Sequence, residues 1–245
     1  NDFTILNHNK VKLKYGENAH QKIIFYNKNK KNFYNNQLHG KELGFNNLRD
    51  IDSAFNCISE FTDPTSIIVK HNSPCGAASS KNIFIALKNS LNADLISSFG
   101  GIIALNRTVD KKTALLISKN FYEAVLAPKF NSEALKVLKK NNNIRLIVTA
   151  GIKNNQNKEV FSISNGYLIQ EPNRIKINKK NIKLVSNKKC SNRNIDDLIF
   201  AFKICKHIKS NAIVLASNLK TIAIGGGQGS RIESTKIAVN KIKKI

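Results

Sequence analysis

Apolar and polar positions alternate in short blocks along most of the chain, and the block lengths set the expected elements. The β-branched run at 67–69 predicts a buried strand. Residues 81–92 follow with Phe84, Leu87, Lys88 and Leu91 at helical spacing. An apolar strand is predicted over 101–105, then a helix capped by Asp110 that runs to 119 with Leu115 and Ile117 on it. A short strand at 124–127 stops at Pro128. A helix over 132–140 carries Glu133 in its first turn and a Lys-rich end, which suits the helix dipole, and a further strand spans 144–148. Strands alternating with helices of this length predict an α/β fold with its sheet covered on both faces.

The polar stretch at 153–158, KNNQNK, breaks this rhythm as a loop or subdomain boundary, and 173–189, dense in Asn and Lys, reads as a surface excursion. A helix is expected over 194–210, with Asn194 as cap, Asp196 and Asp197 in the first turn, and Leu198, Phe202 and Cys205 on one face. Strands at 212–216 and 221–224 flank SNLK as a hairpin. No internal repeat of solenoid period is present.

Composition narrows the class. At 245 residues, 41% hydrophobic and 23% charged, the chain can bury a substantial core. No apolar run approaches a membrane span, and no signal-peptide pattern opens the sequence. The cysteines, Cys57, Cys75, Cys190 and Cys205, form no Cys-x-x-Cys pair, so a reduced, cytoplasmic protein is expected. The net charge of +24 admits a nucleic-acid surface. Lys, Asn and Ile are over-used together, however, which is the mark of AT-rich codons, and the Lys residues are spread from Lys10 to Lys244 with no aromatic interleaving to stack bases. A basic nucleic-acid-binding protein with a degenerate catalytic site stays as the alternative class.

Candidate chemistry gathers at four places. In SIIVKHNSPCG the strand runs into Lys70 and His71, placing both in a loop at the sheet's carboxyl edge, where open α/β sheets put ligands. The ammonium disfavours imidazolium beside it, so the pair reads as a neutral general base next to an anion stabiliser, or else as a solvated strand end. The loop GGGQGSR, 225–231, follows a strand and precedes a helical run starting near Ile232. Bare amides and Arg231 would favour an anion there, although glycine clusters also serve as plain turns. The loop is neither a phosphate-binding Walker loop nor a dinucleotide fingerprint. LKYGENAHQ offers Lys14 and Tyr15 to a phosphate, and SSFGGIIALNR offers paired glycines. Glu123, just before a strand, is unremarkable alone. SPCGAA resembles the Pro-Cys of zinc deaminases, but that chemistry needs His-x-Glu and a second Cys where Ala78 stands, and no His-x-Glu occurs.

Taken together, LKYGENAHQ, LHGKELGFNNLRDIDSAF, IIVKHNSPCGAA, SSFGGIIALNR, EAVLAP, IKSNAIVLA and IAIGGGQGSRI come in one order that resembles the transformylase part of the bifunctional purine-biosynthesis family. The resemblance implies transfer of a formyl group from 10-formyltetrahydrofolate to AICAR (5-aminoimidazole-4-carboxamide ribotide). It implies two related α/β subdomains of cytidine-deaminase-like topology with mixed sheets and no zinc, residues 1–165 forming the first and 166–245 the start of a second. It further implies a homodimer with active sites at the interface, and leaves room for a monovalent cation. In its terms His71 takes the proton from the attacking amine and Lys70 stabilises charge on the formyl oxygen. Lys14, Tyr15, Gly100, Glu123, Asn211 and Arg231 sit at the nucleotide, and Ile232 beside the folate. No covalent intermediate is needed, so Cys75 is expected to be structural. Lys14 replaces the family's usual Arg, which loses the bidentate grip on phosphate, and Gly229 stands where a larger residue is common. The family's C-terminal continuation and its IMP cyclohydrolase domain are both absent, so a fragment is expected.

Overall fold

The computed structural model describes residues 9–27, 30–153 and 158–242. In chain order the elements are β1 (Asn9–Lys12), β2 (Ile24–Asn27), β3 (Gln37–His39), α1 (Phe45–Ile58), β4 (Thr65–Lys70), β5 (Ser73–Ser79), α2 (Ile83–Asn92), α3 (Leu95–Ser98), β6 (Ile102–Leu105), α4 (Lys111–Ile117), β7 (Ala124–Ala127), α5 (Ser132–Leu138), β8 (Arg145–Val148), β9 (Glu159–Ile163), β10 (Gly166–Gln170), α6 (Asn192–Cys205), β11 (Ile213–Ser217), β12 (Lys220–Gly225) and α7 (Arg231–Ile242). A large mixed sheet has the order β11-β12-β5-β4-β6-β7-β8-β3, and β1–β2 and β9–β10 are separate antiparallel pairs. The expected α/β architecture, a mixed sheet flanked by helices, is thus present.

Alternation along the central strands divides the core. Ile67, Val69, Ile102, Ala104 and Leu126 face the layer made by α1 and α6, whose Ile51, Ala54, Phe200 and Ile204 meet them. Ile68, Ile103, Leu105 and Val125 face the opposite layer, against Leu87, Ala114 and Ala134 of α2, α4 and α5. A strand apolar on both faces is what a continuous β-branched run dictates when helices cover both sides. The parallel pairs β6–β7 and β7–β8 are joined through α4 and α5, while β4–β5 and β11–β12 are hairpins.

Local chemistry starts most helices where the sequence places them. Asp110 caps α4 by accepting from the Thr113 N–H at 2.8 Å, and Asn82 caps α2 through Ile85 at 3.0 Å. The expected cap of α6 is corrected: Ser191 accepts from the Asn194 N–H at 3.2 Å, so the helix starts earlier than expected. Its buried face is Phe200 and Ile204, whereas Leu198 and Phe202 are exposed. Asp197, displaced from the first turn, accepts instead from the N–H groups of Asn218 and Leu219 at 3.0 and 2.7 Å. Those two residues form the β11–β12 turn with φ of 55° and 53°, the left-handed geometry a two-residue hairpin demands.

Residues 173–189 are largely exposed, with one short 3-10 turn at Lys179–Asn181. The boundary expected at 153–158 falls mostly on 154–157, outside the described residues. Strands β9 and β10 pair across positions 165 and 166, Ile163 lying opposite Gly166.

Candidate active site

Strand directions decide which loops meet. The antiparallel register of β4 with β5 and with β6 puts the end of β4 beside the starts of β5 and β6, as the pairs Lys70–Ser73 and Val69–Ile102 show. β7 and β8 run parallel to β6, so they start at this edge too. β12 runs antiparallel to β5 and therefore ends here, and β11, with Ile213 opposite Gly225, starts here. One edge of the sheet thus collects Lys70 at the end of β4 and His71 after it, Gly100 before β6, Glu123 before β7, Asn211 before β11, and Arg231 at the start of α7, beyond the loop that follows β12. The expectation of a carboxyl edge is corrected: this edge is mixed, some strands ending on it and others beginning.

The second correction concerns the Lys-His loop. Strand β4 includes Lys70, and His71 and Asn72 form a two-residue hairpin turn with φ of 52° and 60°. Adjacent left-handed residues suit a turn between twisted strands, and His and Asn tolerate that region better than most. Lys70 Nζ donates to the Phe99 carbonyl at 2.8 Å, linking the end of β4 to the approach to β6. The His71 ring is exposed and has no hydrogen-bond partner among the described residues. The turn is held from α1: the Asn72 N–H donates to Asp50 Oδ1 at 2.6 Å, and Ser53 Oγ donates to the Asn72 carbonyl at 2.9 Å. Cys75 is largely buried beside this hairpin with its Sγ 3.6 Å from the Ile68 carbonyl, and burial pushes its thiol up to about 12, which suits a structural residue and not a nucleophile.

At the centre of the edge, Gly100 has φ of +72°, and its N–H donates to the Phe121 carbonyl at 2.9 Å. Glu123 follows, its N–H bonded to the Gly101 carbonyl at 3.1 Å. Its carboxylate is held by Arg145 Nη1 at 2.6 Å, and the same guanidinium donates from Nε and Nη2 to the Glu42 carbonyl, both at 3.2 Å. Arg145 is nearly buried while Glu123 is partly exposed. Arg145 therefore fixes one carboxylate oxygen and leaves the other without a partner among the described residues.

The glycine loop divides into two parts. A Cβ at Gly225 would lie 2.0 Å from the Ser234 carbonyl oxygen, and one at Gly226 would lie 2.3 Å from Ile208 Cγ2. Gly225 lets α7 pack against β12, and Gly226 lets the loop pass close to Ile208, just after α6. Gly227, with φ of +71° and open space for 4 Å around the point where a Cβ would stand, turns the chain outward. Asn211 closes the loop from below: its backbone N–H and Nδ2 donate to the Gln228 carbonyl, and Nδ2 also donates to that of Gly229. Only Oδ1 of Asn211 is left for a ligand. The N–H groups of Gln228, Gly229 and Ser230 have no partner among the described residues, and Arg231 is exposed at the first position of α7. Free amides, a helix N-terminus and a guanidinium are groups with which an anion can pair. Ile232, 68% exposed, flanks it.

Lys14 and Tyr15 are not joined to the edge by any hydrogen bond among the described residues. Their loop, between β1 and β2, sits at the N-terminus of α1, where Asn46 Nδ2 donates to the Glu17 carbonyl at 3.2 Å. Lys14 lies 6.0 Å from the centre of the Tyr15 ring. A cavity of about 480 Å³ joins Leu13 of this segment to Arg49 and Asp52 of α1 and to Asn72 of the turn. Among the described residues no group of three His, Cys, Asp or Glu side chains gathers to hold a metal ion, and no helix is long and apolar enough to cross a membrane.

Sequence reasoning passed over three contributors to this edge. Arg145 had a visible signal, a guanidinium inside an apolar strand that must find a partner. Asp50 and Ser53 had none, because polar residues three apart on a helix look like any solvated face.

The family described as the AICARFT/IMPCHase bienzyme matches residues 1–241. The bifunctional purine biosynthesis protein PurH of Buchnera aphidicola subsp. Schizaphis graminum is 43% identical over 250 residues, covering 99% of this chain and 48% of that protein. PurH of Thermoanaerobacter sp. (strain X514) is 44% identical over 235 residues, covering 94% and 46%, and that of Caldicellulosiruptor saccharolyticus is 43% identical over 237 residues with the same coverage. The chain spans about half the length of the curated relatives it matches. With a family match over nearly every residue and the motifs meeting at one sheet edge, the chain belongs to the AICARFT/IMPCHase bienzyme family.

Proposed function

We propose that this sheet edge transfers a formyl group from 10-formyltetrahydrofolate to the 5-amino group of AICAR, giving formyl-AICAR and tetrahydrofolate. The observation that supports the reading is the strand register, which puts Lys70, His71, Gly100, Glu123, Asn211 and Arg231 along the same edge of the sheet. The amine is a weak nucleophile, its lone pair delocalised into the imidazole ring. His71 takes its proton as the new N–C bond forms, and Lys70 holds the oxygen of the tetrahedral intermediate. An ammonium has three donors, so the bond to Phe99 leaves two for substrate. The bond from the formyl carbon to folate N10 then breaks, N10 leaving with the electron pair and taking a proton.

Arg231 and the free amides of 228–230 would take the substrate's anionic group, with Asn211 beside them and the folate beside Ile232, while Glu123, five strands away across the sheet, would reach a nucleotide from the other subunit of a dimer. Lys14 and Tyr15 reach the nucleotide from the α1 side. A homodimer with interfacial sites is part of this reading, supported by the exposure of Phe99 and Ile232, 55% and 68%, beside an open edge. So are a cytoplasmic location and the assignment of residues 166–245 to the start of a second subdomain. A coupled assay of the chain with AICAR and 10-formyltetrahydrofolate tests the proposal. In whatever turnover this part of the family's length supports, kcat is expected to fall by about 10²–10⁴ in His71→Ala and KM for AICAR to rise in Arg231→Ala. Turnover unchanged in His71→Ala overturns it.

A further inference from the structure

We infer that Asp50 and Ser53 of α1 are positioning residues for the His71 imidazole, an inference that rests on the formyl-transfer reading only in what the imidazole is positioned for. His71 is exposed and makes no side-chain hydrogen bond among the described residues, so its place is set by the backbone of its own turn. That turn holds two successive non-glycine residues in the left-handed region, with φ of 52° and 60°, a conformation that needs support from its surroundings. The support comes from one helix and acts on one residue. Asp50 Oδ1 accepts the Asn72 N–H at 2.6 Å, and Ser53 Oγ donates to the Asn72 carbonyl at 2.9 Å, so both backbone polar groups of Asn72 are clipped to α1.

Asp50 and Ser53 stand three apart and so share a face of the helix. The adjoining stripe anchors the helix, with Ile51, Ala54 and Cys57 fully buried against the sheet. Asp50 has no ion-pair partner among the described residues, so its charge is directed at the N–H group, a short charge-assisted bond. The frame from the core through α1 to Asn72 is thus continuous, and the direction in which His71 leaves the main chain is its output. Without the clip, β4 and β5 still pair, but the turn can relax and the ring loses its fixed origin.

Two kinds of measurement on the 245-residue chain test this, using Asp50→Ala, Asp50→Asn and Ser53→Ala. The first needs no activity. Amide exchange at Asn72 is expected to speed up about tenfold or more in Asp50→Ala, with the His71 ring signals in NMR shifted and broadened. Asp50→Asn, which keeps an acceptor oxygen, restores most of both, and Ser53→Ala falls between. The second is kinetic: kcat with AICAR and 10-formyltetrahydrofolate drops about 10- to 100-fold in Asp50→Ala, while the AICAR dissociation constant stays within about twofold. Should Asp50→Ala leave Asn72 exchange and the His71 signals as they were, or should Asp50→Asn be as damaging as Asp50→Ala, the inference is overturned. If Asp50→Ala does not fold, Ser53→Ala decides on the same readouts. Absence of turnover in the unmutated chain counts against the formyl-transfer reading alone, because the exchange and ring measurements still decide the positioning role.

Discussion

Glu60, just beyond the end of α1, sits where two helices are tied together. Its Oε1 lies 2.6 Å from Lys206 Nζ and 3.6 Å from His207 Nε2, the second being an ion-pair distance and not a hydrogen bond, and Lys203 Nζ donates to its carbonyl at 3.0 Å. The His207 ring first, then the Lys206 ammonium, hold its carboxyl down to about 2 against the desolvation that pushes the other way. A carboxyl whose folded value lies below its unfolded one contributes stability that is full above the unfolded value near 4.5 and disappears as pH falls through about 2. The contribution is on the order of 1–3 kcal/mol, because the His207 contact is longer than a hydrogen bond and solvent screens part of the charge. Glu60→Gln should therefore be markedly less stable than the unmutated chain at about pH 6, with Lys206 left unpaired. The gap should narrow steadily between about pH 5 and 2, read by urea denaturation at each pH. A gap independent of pH would mean the pair contributes through packing alone.

At the scale of elements, β12 and α7 depend on one close approach. Gly225→Ala would drive its methyl group into the Ser234 carbonyl, 2.0 Å from the ideal Cβ position, and backbone cannot give way as a side chain could. A loss of about 1–3 kcal/mol is expected. Gly229→Ala is the matched control: its Cβ would meet only Glu233 Oε2 at 3.8 Å, so stability should change by less than about 0.5 kcal/mol. The same denaturation measurements compare the two. Asp197→Ala should cost about 1–3 kcal/mol, because it leaves the Asn218 and Leu219 N–H groups of a left-handed turn without their acceptor.

These elements also show what could be read from sequence. β4, β6 and β7 were legible because a run apolar on both faces has few alternatives, and β7 falls on the predicted residues. β5 was not, since Pro, Gly and Ala dominate SPCGAAS. It is a strand because β4 and β12 pair with it on either side, a tertiary demand that overrides propensity. The short edge strand β3 and the separate pairs β1–β2 and β9–β10 did not announce themselves, because they are short and largely exposed and their apolar residues show no one-sided burial. In the site, the Lys-His pair and the glycine loop stood out as unusual residues at strand ends. The spending of Asn211's amide on the glycine loop did not, because it depends on a contact across 17 positions.

For the whole molecule the question is what a net charge of +24 serves. Charge of this size raises the local concentration of any anion, so it bears on a small anionic nucleotide and on nucleic acid alike. The two differ in how many cations each engages. On the proposed reading, a site built from Arg231 and the free amides of 228–230 would neutralise one phosphate, and its affinity should fall by about one order of magnitude or less between about 50 and 200 mM salt. A surface that tracks a polynucleotide through roughly six to ten phosphate contacts loses about 10³–10⁵ over the same range. Titrating the chain with AICAR and with a mixed-sequence single-stranded oligonucleotide at both salt concentrations separates them. The site reading expects saturable AICAR binding with the shallow dependence, weakened by Arg231→Ala, and oligonucleotide binding that Arg231→Ala leaves unchanged. If Arg231→Ala instead weakens the oligonucleotide on the steep slope and AICAR does not saturate, the glycine loop is one contact in a polynucleotide track and the sheet edge is not a nucleotide pocket. The spread of lysines over the sequence favours the first outcome, because charge that is not gathered beside the site acts as a diffuse field that steers ligand inward without itself forming the bonds that hold it.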